Sequence, residues 1–411
     1  MKIAKSICIL IVAIVFVSEA LSMARWTENR GVWDDFCYLR QAHLFQTLGF
    51  SGLDTDISRN ADHYIEIKLK QGGWPGSTVT CFDPKPATGK TVMFYPPGTG
   101  FLLALFPEGY QVVSLYIACT LIVFLLAATC IAAARSNALL AIATILGCFS
   151  VYWMINPAKA SYSVAPSMVV CMLAGFLTAR LVASADGKAD DKMRFLVCLA
   201  LGFLLGLSCN LRIANVLLVT GYITFFGLQV MRRRNIGAYR EGAAFLIAFV
   251  IGSIPTMIAN TINGGGPFAR LYPQDVSTFA MSDLTELAGR TMAYLTDTQG
   301  VVMLVSIGVA IYVLVVAPGL PRQLALLVAI GGSFNLLYFI THNAYNPYYL
   351  MPASMLSVWS LFFGAYFRDR SGVGPVPLVL LSQKDAFCEL GIIDRFGRFV
   401  FRHEELRWIT Q

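Results

Sequence analysis

Charged residues are scarce in this sequence. Of its 411 residues only 13% are Asp, Glu, Lys or Arg, whereas soluble domains carry roughly a quarter. Hydrophobic residues make up 56% of the chain, and the mean hydropathy is +0.64. The deficit of charge excludes an ordinary soluble domain. We therefore predict an all-α protein that crosses a membrane many times.

Motifs for metals and nucleotides are also missing. Ten cysteines are present, but none belongs to a CxxC pair or a cluster with histidine, so we predict no metal and no cofactor. The segment ATGKT, 87–91, ends like a phosphate-binding P-loop but has Pro84 where that motif needs glycine. Asp54 and Asp56 resemble the metal-binding acids of nucleotide-sugar transferases, but no nucleotide-binding fold surrounds them.

Long apolar runs are abundant and predict about ten transmembrane helices. A helix needs roughly 20 apolar residues to cross a bilayer. The runs fall at 6–23, 111–134, 138–154, 162–184, 195–209, 212–230, 243–259, 301–318, 323–341 and 349–367. The first run also resembles a signal peptide with a cleavage site after Ala24. Its length favours a helix that is retained.

Basic residues are distributed unevenly between the two sets of short connections. One set holds Arg135, Lys188, Lys192, Arg194, Arg232, Arg233, Arg234, Arg240 and Arg322, and the other holds Lys159 and Arg212. Because cytoplasmic loops are the positive ones, we expect both termini in the cytoplasm. Two large loops, at about 24–110 and 260–300, are then outside. The tail, 368–411, is expected to be a cytoplasmic appendage to a transmembrane domain at 1–367.

Two of the cysteines, Cys37 and Cys81, lie in the first of these outside loops. A disulfide could join them if the loop faces an oxidising compartment. The sequence does not give the distance between them, so their pairing stays open. Six others lie within apolar runs, where they are small hydrophobic residues: Cys8, Cys119, Cys130, Cys148, Cys171 and Cys198.

Two adjacent carboxylates, Asp34 and Asp35, follow the first apolar run. Asp34 is suited to cap a helix and Asp35 to interact with its positive end, so we predict a helix from there to Gly49. Its apolar residues share one face, which predicts an amphipathic helix on the outer membrane surface. Capping by itself explains both acids, and a catalytic role is the alternative.

Three further outside segments are rich in polar or aromatic groups. In FYPPGTGFLLALFP, 94–107, the two prolines predict the start of a short interfacial or re-entrant helix. Arg212 lies between two apolar runs, where a charge needs a partner such as a phosphate unless the side chain only reaches up to the interface. In HNAYNPYYLMP, 342–352, the tyrosines are either a membrane aromatic belt or part of a site.

The order of these segments resembles the GT-C superfamily of membrane glycosyltransferases. Within it the chain looks most like the 4-amino-arabinose lipid A transferases, with protein O-mannosyltransferases as further relatives. Four segments match the family's acidic pair, Pro-Pro segment, Arg-containing turn and last luminal turn: DDFCYLRQAHLFQTLGF, YPPGTGFLLALF, LRIANVLL and NPYYLMPA. Asp35 stands where Glu is common, and Tyr348–Tyr349 stands where Arg-Tyr is expected. The resemblance covers about residues 1–367.

This resemblance implies a GT-C-like fold whose large first outside loop carries interfacial helices, and it implies a mechanism. A sugar on a polyprenyl phosphate would pass to a glycolipid, polysaccharide or protein acceptor on the extracytoplasmic side of an inner or plasma membrane. The displacement is expected to be inverting and to need no metal. Asp34 is the expected base and Asp35 its helper. The expected contacts to the donor phosphate or sugar are Arg212, Lys90, Tyr95 and Tyr348.

A polytopic transporter or lipid flippase is the alternative, because about ten spans and an arginine near the membrane face fit it too. Transporters often place paired acids at mid-bilayer and contain internal repeats. Here the acids lie outside the apolar runs, and no repeat of fixed period is present. A non-catalytic scaffold is a third interpretation. Nucleic acid is not an expected partner, because the basic residues flank the apolar runs.

Overall fold

Ten helices long and apolar enough to cross a membrane dominate the computed structural model of the protein. The structure describes residues 1–26, 35–71, 81–155, 161–183, 191–272, 284–316, 320–342 and 347–370. All of them belong to one unit, Met1–Gly372. The tail predicted at 368–411 lies outside the described residues from 371 onward.

Fourteen α-helices make up most of the described chain. They are α1 Lys2–Ala24, α2 Asp35–Leu48, α3 Tyr64–Gln71, α4 Pro97–Ala104, α5 Gln111–Ala133, α6 Asn137–Ile155, α7 Val164–Ala183, α8 Asp191–Leu211, α9 Thr220–Arg233, α10 Ile236–Gly264, α11 Leu284–Thr296, α12 Thr298–Val316, α13 Leu320–Thr341 and α14 Met351–Arg370. The ten candidate spans are α1, α5 to α10 and α12 to α14, with a 3-10 helix, Ile213–Val219, leading into α9. The predicted all-α polytopic fold is confirmed.

Helices α8 and α10 pack most extensively among the spans. Gly206 of α8 faces the backbone of Phe249 and Gly252 in α10, so a side chain at Gly206 would collide with that backbone. Small residues let transmembrane helices approach closely in this way. The packing holds the end of α8, at Leu211, beside the C-terminal half of α10.

Pro255 lies inside α10, and Asn210 of α8 satisfies the backbone next to it. The Thr256 N–H donates to Asn210 Oδ1 at 2.9 Å, and Asn210 Nδ2 donates to the Gly252 carbonyl at 2.7 Å. In a regular helix these two backbone groups would pair with each other. The Asn210 amide therefore takes the place of a backbone hydrogen bond of α10 beside Pro255. A proline inside a helix disturbs the backbone hydrogen bonds around it, so side-chain partners are common there.

One face of the molecule carries most of the irregular structure, and we call it the loop face. It consists of the connections after α1, α6, α8, α10 and α13, which contact one another through several hydrogen bonds. The first connection is the largest. It contains α2, α3, α4, two 3-10 helices at Gly49–Leu53 and Ile57–Arg59, and a β-hairpin. The hairpin is not among the elements predicted from the sequence.

The hairpin pairs β1, Phe82–Lys85, with β2, Lys90–Met93, in antiparallel register. Together with α2 and α3 it forms a small hydrophobic core, separate from the core between the spans. A disulfide between Cys37 and Cys81 crosses this core, with their Cα atoms 6.5 Å apart. The pairing that the sequence left open is therefore present.

Helix α2 lies where the sequence predicts it, but its surroundings differ from the prediction. Every residue from Asp35 to Ala42 is buried, so protein encloses the first half of the helix on all sides. Its polar groups find partners within the loop face. Arg40, for example, is 1% exposed and donates to Asp62 at 2.9 Å. The predicted amphipathic pattern of α2 is wrong for this half of the helix.

The C-terminal end of α10 holds the first connection in place. Asn263 Oδ1 accepts a hydrogen bond from the Thr55 N–H at 3.0 Å, and its Nδ2 donates to the Leu53 carbonyl at 2.8 Å. Thr88 Oγ1 donates to the Asn263 carbonyl at 2.8 Å. These bonds fix both the 3-10 segment and the hairpin turn on one span.

Candidate functional site

Helix α4 links the acidic helix α2 to the end of α8. It begins at Pro97, as predicted, because a proline in the first turn has no N–H that would need a partner. Thr99 Oγ1 donates to the Leu211 carbonyl at 3.0 Å, which satisfies one of the last carbonyls of α8. The next residue along the chain is Arg212. The Pro-Pro segment thus sets the position of Arg212 relative to α2.

Two glycines of α4 make this close approach possible. Gly98 lies on the Asn210 backbone, and a Cβ there would stand 2.6 Å from the Asn210 carbonyl oxygen. On the other side, a Cβ at Gly100 would stand 2.5 Å from Gln41 Oε1 in α2. Any larger residue would push α4 away from α8 or α2.

Arg212 is a buried guanidinium at the loop-face end of α8, and it is 7% exposed. Its charge stands over two aromatic rings, 3.9 Å from the ring centre of Tyr349 and 5.5 Å from that of Tyr348. No residue in the described part of the chain accepts a hydrogen bond from its Nη1 atom. A buried donor of this kind is costly unless a further acceptor completes it. The site therefore suits an anion.

The predicted contact residue Tyr348 is thus beside Arg212, and its neighbour Tyr349 makes the shorter contact. The sequence reading did not select Tyr349. The sequence indicates this residue only through the two consecutive tyrosines of NPYY. It does not show which of the two rings contacts Arg212. Cation–π contacts such as these stabilise an arginine without consuming its hydrogen-bond donors.

Asp35 is 1% exposed at the start of α2. Its Oδ1 accepts a hydrogen bond from the Tyr162 N–H at 3.0 Å, in the turn that precedes α7. A buried carboxylate with a backbone partner positions an element, so Asp35 holds α2 against that turn. Asp34, the predicted base, lies outside the described residues.

Lys90 of the hairpin has partners within the loop face. Its Nζ lies 3.0 Å from Asp54 Oδ1 and 3.3 Å from the Ile262 carbonyl oxygen in α10. Burial raises the pKa of Asp54, but hydrogen bonds from Lys90 and Arg59 outweigh this and hold the pKa below its usual range. Lys90 is therefore engaged in an ion pair, whereas Arg212 has none within the described ranges.

The other acid of the DTD segment, Asp56, accepts a hydrogen bond from the Thr91 N–H at 3.0 Å. Asp54 and Asp56 thus join the 3-10 segments of the first connection to its hairpin. Across the described ranges, no three His, Cys, Asp or Glu side chains gather in a way that fits a metal ion.

Tyr95, the last predicted contact residue, belongs to an aromatic cluster just before α4. Its ring centre lies 4.8 Å from that of Tyr38, 4.7 Å from that of Phe94 and 6.1 Å from that of Tyr272. Tyr38 follows Asp35 by about one helical turn. The cluster therefore joins the start of α2 to the connection that follows α10, at Tyr272.

A second polar cluster fixes the middle of α2, and the sequence reading did not find it. Asp62 contacts Arg40 at 2.9 Å and His43 Nε2 at 3.0 Å. Burial raises the pKa of Asp62, but the hydrogen bonds from Arg40 and the Tyr64 N–H outweigh this effect. The pKa of Asp62 therefore lies below its usual range. His43 and Arg40 lie 19 and 22 positions before Asp62, and no sequence pattern links them, so these contacts could not be predicted.

No protein-family model, curated protein or solved structure matches this sequence. The site must therefore be interpreted from its own contacts. It brings together, at one end of the spans, a buried cation with a donor that has no acceptor among the described residues, two tyrosine rings and the helix α4 that contacts α2. Such an arrangement can hold an anionic group at this end of the spans.

Proposed function

We propose that the chain is a membrane glycosyltransferase. It moves a sugar from a polyprenyl-phosphate donor to a glycolipid, polysaccharide or protein acceptor at the loop face, which is the extracytoplasmic side. The observation that carries the proposal is the buried guanidinium of Arg212, whose Nη1 has no acceptor among the described residues. The order of motifs that resembles the GT-C superfamily supports the choice of reaction.

The donor phosphate is the anion that suits Arg212. A guanidinium binds phosphate through charge-assisted hydrogen bonds, which are about twice as strong as neutral ones. Arg212 follows the last residue of a span, at the depth where the phosphate of a membrane lipid lies. When the sugar departs, negative charge grows on that phosphate, and a fixed cation beside it lowers the barrier.

The acceptor hydroxyl needs a base, and we assign this role to Asp34. Its neighbour Asp35 holds the start of α2 on the turn before α7. The acceptor oxygen bonds to the anomeric carbon as its proton passes to Asp34. The bond between that carbon and the phosphate oxygen breaks, and the lipid phosphate leaves with the electron pair. Attack opposite the leaving group inverts the sugar.

Two features support an extracytoplasmic loop face. The disulfide between Cys37 and Cys81 is typical of an oxidising compartment. At the opposite face, three consecutive arginines, Arg232 to Arg234, end α9 and begin its connection to α10, and cytoplasmic ends of spans carry such an excess of positive charge.

Transfer of a labelled sugar tests the proposal. Purified protein in lipid nanodiscs is given a radiolabelled polyprenyl-phosphate sugar and a mixture of glycolipid, polysaccharide and protein acceptors. We expect label on one acceptor class, and a rate lowered by roughly 100-fold or more in Asp34→Asn, whose folding is normal because Asn caps a helix as well as Asp. An Asp34→Asn protein with the wild-type rate would remove the base from the mechanism.

A flippase is distinguished by the same preparation in sealed vesicles. If labelled lipid crosses the bilayer in a protein-dependent manner while no sugar reaches any acceptor, the transferase proposal fails and transport replaces it. If neither transfer nor movement occurs with any donor, both activities are excluded.

A further inference from the structure

Positive charge is concentrated at the end of the spans opposite the loop face. Helix α9 ends with Arg232 and Arg233, and Arg234 and Asn235 alone connect it to α10. Arg240 follows in the second turn of α10. Arg232, Arg234 and Arg240 are exposed, and we call these three residues the arginine patch. No part of the mechanism above uses them.

The turn that carries the patch has a defined backbone. Asn235 caps α10, since its Oδ1 accepts a hydrogen bond from the Ala238 N–H at 2.9 Å. Arg234 adopts the left-handed conformation, with a φ of 45°, which glycine or asparagine usually supplies after a helix. The turn thus holds a cation at a position where the backbone alone favours glycine.

Glu241 of α10, the acid next to Arg240 in the chain, is already neutralised. Arg194 of α8 is 4% exposed and donates to both carboxylate oxygens of Glu241, at 2.8 and 2.7 Å. Arg233 reaches the same carboxylate only at 4.0 Å. Within the part of the chain that the structure describes, the arginine patch forms no ion pair with a carboxylate. The patch therefore presents an excess of positive charge.

Apolar side chains surround the patch and continue from it along the spans. Ile236 is 85% exposed, and Tyr239 is also exposed. The guanidinium of Arg240 lies over the ring of Phe195 in α8, 4.6 Å from its centre. Ile247 lies seven positions, about two helical turns, after Arg240, on the same face of α10, and it is exposed as well. The patch is therefore bordered by an apolar surface that faces outwards from the spans.

We propose that the arginine patch binds the head group of an anionic phospholipid in the membrane leaflet at this end of the spans. Guanidinium groups bind phosphate through charge-assisted hydrogen bonds, and basic residues clustered beside a span attract anionic lipids. The exposed apolar surface beside the patch suits acyl chains, which a soluble anion does not have. The site lies at the opposite end of the spans from Arg212 and does not depend on sugar transfer.

Three single variants separate binding from folding. Arg234→Gly removes one cation of the patch, and its fold should be retained because glycine adopts the left-handed conformation readily. Arg240→Gln removes a second cation and keeps a polar side chain. Arg135→Gln is the matched control, because Arg135 is an exposed arginine in the connection between α5 and α6, at the same end of the spans.

Full-length protein in detergent is titrated with phosphatidylglycerol, phosphatidylcholine or inorganic phosphate, and bound lipid is counted by native mass spectrometry. We expect tighter binding of phosphatidylglycerol than of phosphatidylcholine, with no displacement by inorganic phosphate. A basic residue near a membrane surface contributes about fivefold to the affinity for anionic lipid. Arg234→Gly and Arg240→Gln should therefore each weaken phosphatidylglycerol binding by about fivefold, and Arg135→Gln should bind it like wild type.

Equal phosphatidylglycerol affinity in wild type and in the double variant of Arg234→Gly and Arg240→Gln would overturn the inference. The arginines would then act on membrane orientation only. An equal loss in Arg135→Gln would also overturn it, because it would show a diffuse effect of charge. Displacement of the lipid by inorganic phosphate would replace the lipid site with a site for a soluble anion. Thermal unfolding of each variant without anionic lipid shows that a loss of affinity is not a loss of folding.

Discussion

At the scale of single residues, Asp35 is the member of the acidic pair with a defined structural contact. Asp35 is buried and accepts the Tyr162 N–H, so Asp35→Ala would leave that buried donor unpaired. The cost of such a loss is about 1–3 kcal/mol. We expect a lower midpoint of thermal unfolding in detergent for Asp35→Ala. Asp35→Asn retains an acceptor oxygen and should stay near wild type; equal losses in both variants would contradict the anchoring role.

Arg212 is the residue on which donor binding depends. Removing a charge-assisted hydrogen bond from a partly desolvated site costs about 1.5–3 kcal/mol, which corresponds to roughly 10- to 150-fold in affinity. We expect Arg212→Ala to weaken binding of a polyprenyl phosphate by this factor, as titrated on purified protein. Arg59→Ala is the control, because Arg59 pairs with Asp54 on the same face and its side chain is 43% exposed. An unchanged affinity in Arg212→Ala would assign that residue to packing on Tyr349.

Between elements, the contact of α8 with α10 depends on one amide. Asn210→Leu keeps the volume of the side chain but leaves the Thr256 N–H and the Gly252 carbonyl without it. Each buried group that loses its partner costs about 1–3 kcal/mol. We expect a large drop in thermal stability. Asn260→Leu, at a half-buried position of the same helix α10 whose hydrogen bond to the Pro267 carbonyl is exposed, should change the stability less. Similar losses in both variants would show that other groups replace the Asn210 amide near Pro255.

The contact of α2 with the segment before α3 depends on pH through Asp62. Its pKa in the folded protein is lowered, below an unfolded value of about 3.9. The charged Asp62 therefore stabilises the fold at pH values above about 4, and this stabilisation disappears as pH falls further. We expect Asp62→Asn to be less stable than wild type at pH 6, with the difference shrinking below pH 4. Thermal unfolding across this range tests it; a constant difference would exclude the ion pair with Arg40.

The spans could be predicted from the sequence because membrane crossing depends on run length and hydropathy, which are local properties. Likewise the start of α4 follows from Pro97 alone. The hairpin, the burial of α2 and the Asp62 cluster could not be predicted in this way, because each arises from contacts between distant residues. Arg212 was selected for its cost in an apolar run. That its Nη1 lacks an acceptor among the described residues, and that the Tyr349 ring lies under it, is known only once the segment before α14 is placed beside Arg212.

Across the whole molecule, the loop face and the connection between α9 and α10 should lie on opposite sides of the membrane. Ser58 lies in the loop face and Gly237 in the first turn of α10, directly after that connection, and both are exposed. In intact cells, an impermeant thiol reagent should label Ser58→Cys, and it should label Gly237→Cys only after the membrane is opened. Wild-type protein gives the background from native cysteines. Labelling of Gly237→Cys in intact cells would reverse the orientation.

The bonds between Thr55 and Asn263 join residues 208 positions apart. During synthesis at roughly 5–20 residues per second, the first connection therefore waits on the order of 10–40 seconds before α10 is made. Throughout this interval it lies exposed without its final support. The disulfide between Cys37 and Cys81 spans only 44 positions, so it can close within the waiting segment. The disulfide can therefore stabilise the first connection before the later spans have been synthesised.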